Sequence, residues 1–190
     1  MDVNALIDRA KAVMVNPRET WLTIKEEEAG VGDLYKQYLV YLAAIPAISL
    51  FIGQSIVGYS VPFENRITHI PIGLGLSFMI RRYLFYLLSI YIAGYVISFL
   101  SSRFDGLGDV TGSVKLCAYS VTPGWIASGL YIIPRLGELS VFGYLFGIYL
   151  FYVGAPIMLN IPQSRAASFT AVSVLVGLVL ALIISLLTSP

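Results

Sequence analysis

Apolar runs of membrane-spanning length dominate this chain, and short charged segments separate them. A helix needs about 20 apolar residues to cross the hydrocarbon core of a bilayer. Five runs meet or approach that length, and they predict five transmembrane helices, over residues 38–59, 83–101, 115–133, 141–161 and 166–187. The predicted fold class is therefore an all-α polytopic membrane protein.

Residues 67–80 form a further apolar run that is too short to cross a bilayer alone. It could be a re-entrant or interfacial piece, or it could extend the second helix toward the N-terminus from Pro71. We favour the extension, because proline suits the first turn of a helix. A helix over 71–101 would be about 45 Å long at 1.5 Å per residue. It would place Arg81 and Arg82 in or near the lipid headgroups.

The first 35 residues have an amphipathic rather than a spanning pattern. Apolar side chains recur at helical spacing at Val3, Leu6, Ile7, Ala10, Val13 and Met14. A second short helix is predicted after Asn16, with Pro17 at its first position and Glu19 three residues after the cap. We therefore predict a cytoplasmic amphipathic helical segment over 1–35 and a transmembrane domain over 36–190. The segment could lie on the membrane surface, pack under the bundle, or remain a solvated tail without a partner.

Composition supports a membrane location. Hydrophobic residues make up 57% of the 190 residues and charged residues only 12%, against about 25% charged in a soluble domain. Mean hydropathy is +0.81. The net charge of +1 gives no field that would attract nucleic acid, so no nucleic-acid partner is predicted.

Residues for catalysis or metal binding are scarce in the sequence. Cys117 is the single cysteine and His69 the single histidine, which argues against a disulfide or a metal centre. No HExxH, GxSxG or P-loop spacing occurs, and no nucleophile is paired with a general base. None of the five predicted spans contains Asp or Glu, whereas ion-coupled carriers usually need an ionisable group there. We predict no enzymatic activity, no catalytic or metal-ligating residue and no cofactor.

Basic residues predict the orientation. An N-terminus in the cytoplasm would place most of them on the cytoplasmic side, at Arg9, Lys11, Arg18, Lys25, Lys36, Arg103, Lys115 and Arg165. Five crossings would then leave the C-terminus outside. Arg81 and Arg82 are discordant, and we expect them to reach toward headgroups or toward a carboxylate such as Glu64.

Small residues predict a helix-packing face in the fourth span. Gly143 and Gly147 form a GxxxG pair, and Gly154 follows on the same face. Gly124 and Ser128 repeat the spacing in the third span. Such faces let helix backbones approach closely. Packing within the bundle is the first expectation, and homo-oligomerisation through the same face is the alternative.

Tyrosines and prolines inside the spans are expected mainly to hydrogen-bond neighbouring helices and to kink the helices, respectively. A polar cavity lined by the tyrosines, and a groove or hinge at the prolines, are the less expected alternatives. The deeper tyrosines are Tyr86, Tyr91, Tyr95, Tyr119, Tyr144, Tyr149 and Tyr152. The prolines in or beside spans are Pro46, Pro123, Pro134 and Pro156. Each removes a helical hydrogen bond and leaves a carbonyl for a neighbour to satisfy. A groove or hinge would centre on residues 119–125.

The stretch from Lys115 to Pro123 resembles the basic residue, aromatic-small pair and helix proline of the Yip family of Rab-interacting membrane proteins. Further pieces occur in order: Pro17, Thr20, Trp21 and Ile24, then Ala44-Ile45-Pro46, Ile133-Pro134 with Gly137, and Gly147 with Tyr149 and Gly154. The resemblance covers nearly the whole chain and is to the prokaryotic branch. Asp33-Leu34-Tyr35 is similar to eukaryotic members, but Lys36-Gln37 replaces their Gly-Pro. That departure weakens the transfer of their GTPase-binding role.

The resemblance implies a non-enzymatic membrane scaffold or adaptor that binds lipids or a membrane-protein or lipidated-protein partner. A homo-oligomer is an open alternative to a single chain. It implies the inner membrane of a prokaryote, or Golgi and endoplasmic reticulum membranes in a eukaryote. The candidate lipid or partner groove comprises Lys115, Tyr119, Ser120, Thr122, Pro123 and Trp125. Arg81 and Arg82 are candidate headgroup contacts. The alternative is a small-solute channel or lipid translocator, with the deep tyrosines, Ser120, Thr122 and Asn160 along its pathway.

Overall fold

In the computed structural model, residues 3–60, 67–133 and 135–188 are described. Their seven α-helices are α1 (Val3–Val15), α2 (Pro17–Glu26), α3 (Val31–Val57), α4 (Ile72–Ser101), α5 (Val110–Ala127), α6 (Ser140–Leu159) and α7 (Ala166–Thr188). Two-residue strands β1 (Tyr59–Ser60) and β2 (Ile67–Thr68) pair antiparallel between α3 and α4. Short 3₁₀ turns follow α4 and α5, at Ser102–Phe104 and Ser128–Ile132, and another precedes α6 at Gly137–Leu139. The chain is thus an all-α bundle, as the apolar runs predict.

Four helices of the described chain are long and apolar enough to cross a membrane. They cover Val31–Val57, Ile72–Phe104, Gly137–Leu159 and Ala166–Leu187. The fifth predicted span corresponds to α5, which does not meet the same criterion. Thr111, Ser113, Lys115, Ser120 and Thr122 make it more polar than the others, so the structure gives one apolar span fewer than the sequence predicts.

The physical reason is that α5 faces protein rather than lipid. Ser113, Lys115 and Thr122 are buried, as are Leu116 and Trp125 on the same helix. A helix surrounded by other helices can carry polar side chains, because neighbouring helices rather than acyl chains surround them. The polarity of α5 therefore reflects its central position in the bundle.

The two ends of α5 lie at opposite ends of the bundle. Near its start, Lys115 contacts the C-terminal end of α2. After its last turn, the carbonyl of Tyr131 lies against Gly53 in the final turns of α3. We call the first the Asn160 end, after the residue that ends α6, and the second the hairpin end, after β1 and β2. The chain passes between these ends five times, through α3 to α7.

Helix α4 confirms the extension from Pro71. It begins at Ile72 with Pro71 as its N-cap and runs for 30 residues, about 45 Å. That length exceeds the hydrocarbon core of about 30 Å. The residues after Arg82 still span about 28 Å, so the arginine pair can lie near one membrane surface.

Prolines are accommodated without ending their helices. Pro46, Pro123 and Pro156 each lie inside a continuous helix, whereas Pro134 lies outside the described residues. Helix α3 also contains two π-helical stretches, Tyr35–Leu39 and Ile52–Val57. Such wide turns often occur at functional positions, and the second of them carries Gln54.

Candidate functional site

The amphipathic segment packs against the bundle. Trp21 of α2 is fully buried, and its indole Nε1 donates a hydrogen bond to the carbonyl of Leu150 at 3.2 Å. Gly154 makes room for the indole, because an added Cβ there would overlap the Trp21 ring. Of the three arrangements open from the sequence, packing on the bundle is the one observed for α2.

Polar contacts fix α2 at the Asn160 end. The Lys115 ammonium donates to the carbonyls of Glu27 at 2.7 Å and Ile24 at 3.4 Å. A cation at this position caps the unpaired carbonyls at the C-terminus of α2. Lys25 donates to the Asn160 side chain at 2.7 Å, and Arg9 pairs with Glu27. The role of Lys115 in the structure is therefore to hold the N-terminal segment.

Tyr119 and Thr122 lie on the same side of α5 as Lys115. The Tyr119 ring lies between Trp21 and Tyr38, with centroid distances of 6.1 Å and 4.8 Å. The Tyr38 hydroxyl hydrogen-bonds the Thr122 hydroxyl at 2.8 Å. This aromatic layer joins α2, α3 and α5, and its side chains are buried.

Ser120 and Trp125 lie on the other side of α5, where they line a cavity. Pro123 packs toward α6 instead, with its carbonyl against Gly143. The six residues proposed for one groove are therefore divided among three surfaces of α5. Of the six, Ser120 and Trp125 line this cavity.

The cavity has a volume of about 640 Å³ and lies between α4, α5, α6 and α7. Its lining is mainly apolar, with Ile97, Val121 and Phe151 as examples. Along α4 the lining runs from Arg82 to Ile97, about 22 Å at the helical rise. The shape is an elongated slot along the bundle axis, of a size typical for ligand sites.

Helix α7 leaves one side of the slot open. Gly177, Ala181 and Ser185 line it and are nevertheless exposed. An added Cβ at Gly177 would meet no atom within 4 Å. Because α7 crosses the membrane region, this opening faces the acyl chains of the bilayer.

Ser120 is a polar group inside this slot. Its residue is 6% exposed, and its hydroxyl has no hydrogen-bond partner in the described chain. A buried hydroxyl without a partner costs about 1–3 kcal/mol. Ser128 and Ser173 avoid this cost by donating to a carbonyl one turn back.

Arg81 and Arg82, like the groove residues, lie on different surfaces of their helix. Arg82 lines the slot and donates to the side-chain oxygen of Gln54 at 3.1 Å. Arg81 is exposed, and its guanidinium lies 4.8 Å from the centroid of the Phe78 ring. Glu64, the carboxylate expected as a partner, lies outside the described residues. Among the described residues that line the slot, Arg82 alone carries a charge.

The glycine face of α6 contacts α5 and α2 within one chain. A Cβ at Gly143 would overlap the Pro123 carbonyl, and a Cβ at Gly147 would overlap the Ser120 carbonyl. Gly124 of α5 makes the reciprocal contact with the Tyr144 ring. The close approach expected from the GxxxG spacing is therefore made inside the bundle.

The deep tyrosines do not share one pathway. Tyr86 and Tyr144 line the slot, whereas Tyr91, Tyr95 and Tyr149 are exposed on the outer surface of the bundle. Asn160 lies at the bundle end, bonded to Lys25.

Several slot residues carried no signal in the sequence. Ser173, Gly177 and Ser185 lie in the least polar run of the chain. Gln54, which accepts from Arg82 but does not line the slot, lies in a span with no charge beside it. A period of three to four residues linking the small residues of α7 is the one feature that could have singled out this face. The described residues contain no cluster of three or more His, Cys, Asp or Glu side chains placed to hold a metal ion.

The fold and its polar contacts define a polytopic α-helical membrane protein with an N-terminal helical pair docked on the bundle. The chain belongs to the Yip1 domain family, whose model matches residues 11–186. It is similar to the inner membrane protein YohC of Escherichia coli K12, with 23% identity over 175 residues, covering 90% of this chain and 89% of YohC. The same protein from E. coli O6:H1 matches equally well. No solved structure matches significantly.

Proposed function

We propose that this Yip-family protein is a non-enzymatic membrane scaffold that binds a lipid chain in the slot between α4, α5, α6 and α7. The observation that carries the proposal is the elongated apolar cavity of about 640 Å³, open beside α7. Lipid is the ligand at highest concentration next to that opening. Burying apolar surface of a chain in a preformed cavity of this size is favourable without any chemical step.

The proposal includes an inner-membrane location, like that named for the E. coli relatives, with the N-terminus in the cytoplasm. Lys25, Lys115 and Arg165 all lie at the Asn160 end, which supports placing that end on the cytoplasmic side. Protease added outside intact spheroplasts should therefore leave α1 and α2 uncut, and cleavage there would contradict the orientation. A lipidated protein is a further candidate source of the bound chain.

The lipid site is tested with Gly177→Phe. Gly177 lines the slot, and no atom lies within 4 Å of its Cβ position, so a ring there meets no steric obstacle. We expect the purified variant to retain less than about half of the lipid that the wild type retains in detergent, since the ring would fill the space of the chain. Mass spectrometry of extracted lipids per mole of protein measures this.

Gly73→Phe is the matched control. Gly73 lies on α4, also has open space at its Cβ, and does not line the slot. It should retain lipid like the wild type. Equal retention by both variants and the wild type would contradict the lipid site. Solute flux or lipid scrambling above empty liposomes, lost in Gly177→Phe, would instead support the channel or translocator alternative.

A further inference from the structure

The Ser120 hydroxyl lies near the middle of the membrane-spanning region. Counted from Val110, the first residue of α5, Ser120 lies about 15 Å from the Asn160 end of that helix. It lies about 20 Å from Ile132, where the following 3₁₀ turn ends. Half of the hydrocarbon core is about 15 Å thick. A slot ligand that bonds Ser120 must therefore carry a polar atom deep in its apolar part.

A phospholipid chain can fill the slot, but it leaves this hydroxyl without a partner. The acyl chain is hydrocarbon, and the ester oxygens lie at the boundary of the core, about 15 Å from its middle. Within the described chain the Ser120 hydroxyl has no hydrogen-bond partner, although Ser120 lines the slot. Turning about its single side-chain torsion can present the hydroxyl to a ligand. A buried hydroxyl of this kind favours a ligand that supplies an acceptor, such as a carbonyl oxygen.

Aromatic rings line the slot close to the level of Ser120. An added Cβ at Gly94 of α4 would overlap Val114 of α5, so these two residues lie at one level. Ser120 and Tyr86 both lie further toward the hairpin end, and their levels differ by about 3 Å at the helical rise. The Tyr86 and Trp125 rings pair at a centroid distance of 6.1 Å, and both line the slot. Such a surface favours a flat ring over a flexible chain.

We infer that the slot is a binding site for an isoprenoid quinone, with a ring carbonyl accepting a hydrogen bond from Ser120 and the ring packed against Tyr86 and Trp125. This inference rests on the proposed function and adds the class of lipid. A quinone is neutral and dissolves in the hydrocarbon core, so it can enter through the opening beside α7. The cavity of about 640 Å³ holds the ring and the first part of the apolar tail.

Ser120→Ala tests the hydrogen bond. Each protein is reconstituted in phosphatidylcholine nanodiscs with equal amounts of decylubiquinone and decylbenzene, which carry the same tail on a quinone ring and on a benzene ring. The protein is then extracted, and the ratio of the two bound compounds is measured by mass spectrometry. The wild type should be enriched in decylubiquinone. Ser120→Ala should lower this enrichment by about tenfold, as expected for one buried hydrogen bond.

Ser113→Ala is the matched control. Ser113 is a buried serine of the same helix, but its hydroxyl donates to the Asp109 carbonyl at 2.7 Å and it does not line the slot. It should keep the wild-type ratio of bound compounds. Ser120→Ala should also fold like the wild type, because its hydroxyl bonds no described residue and alanine is the better helix former. Circular dichroism during heating checks this.

The outcomes separate this inference from the proposed function. A wild-type protein without quinone enrichment, or a Ser120→Ala protein with the wild-type ratio, would overturn the inference. If Gly177→Phe nevertheless loses both compounds, the lipid site stands and only the ligand class fails. If Gly177→Phe binds both compounds as the wild type does, the proposed function fails.

Discussion

Trp21→Ala is expected to lower the free energy of unfolding by about 3–5 kcal/mol, the range measured for buried Trp or Phe changed to Ala. The indole is fully buried against Gly154 and donates to the Leu150 carbonyl. Its loss leaves a cavity under α2 and removes this bond between α2 and α6. Titration with sodium dodecyl sulfate in mixed micelles, followed by circular dichroism, measures the change.

The neighbouring residue supplies the control. Leu22 is 51% exposed, so Leu22→Ala should change stability by no more than about 0.5 kcal/mol. Undocking of α2 should also make Trp21→Ala more sensitive to trypsin at Arg18 and Lys25. Equal stability and equal cleavage in the two variants would show that α2 does not depend on the indole for its position.

Gly147→Leu is expected to cost about 3 kcal/mol or more, at or above the upper end of ordinary overpacking. An added Cβ alone would overlap the Ser120 carbonyl, which belongs to the backbone of α5 and cannot rotate away. The two helices would have to separate along the contact made by Gly143 and Gly147. The same detergent titration measures the loss.

Gly73→Leu is the control that measures the effect of helix propensity without a packing clash. Gly73 has open space at its Cβ, so replacing its glycine should be neutral or stabilise by up to about 1 kcal/mol. Opposite signs at the two glycines are therefore expected. A Gly147→Leu protein as stable as the wild type would mean that α5 and α6 do not pack as closely as the structure has them.

The helices that face lipid could be predicted from the sequence, because the bilayer imposes a length and a composition on them. The start of α4 after Pro71 followed from proline geometry, although the apolar run was interrupted by Arg81 and Arg82. Helix α5 is less apolar than the bilayer requires of a lipid-facing helix. It contacts protein on most sides, so its sequence reflects its neighbours more than the solvent.

The candidate site was only partly predictable. The sequence indicated that α5 carries the site. It did not show which neighbouring helix is contacted by each of its side chains at Lys115, Tyr119, Ser120 and Thr122. The contacts that orient these side chains join residues that are far apart in the sequence. Trp21 reaches Leu150, and Lys115 reaches Glu27. The slot also depends on α7, where uniform hydrophobicity hides which side faces the bundle.

Photo-crosslinking tests the lipid slot most directly. Phosphatidylglycerol with a diazirine near the end of one acyl chain is incorporated into nanodiscs with the wild-type protein, irradiated, and mapped by peptide mass spectrometry. We expect cross-links at residues that line the slot inside the bundle, such as Ala93, Ile97 or Phe151. Cross-links confined to the outer face of α7, at Leu175, Leu182 and Leu186, would contradict a chain bound inside the bundle.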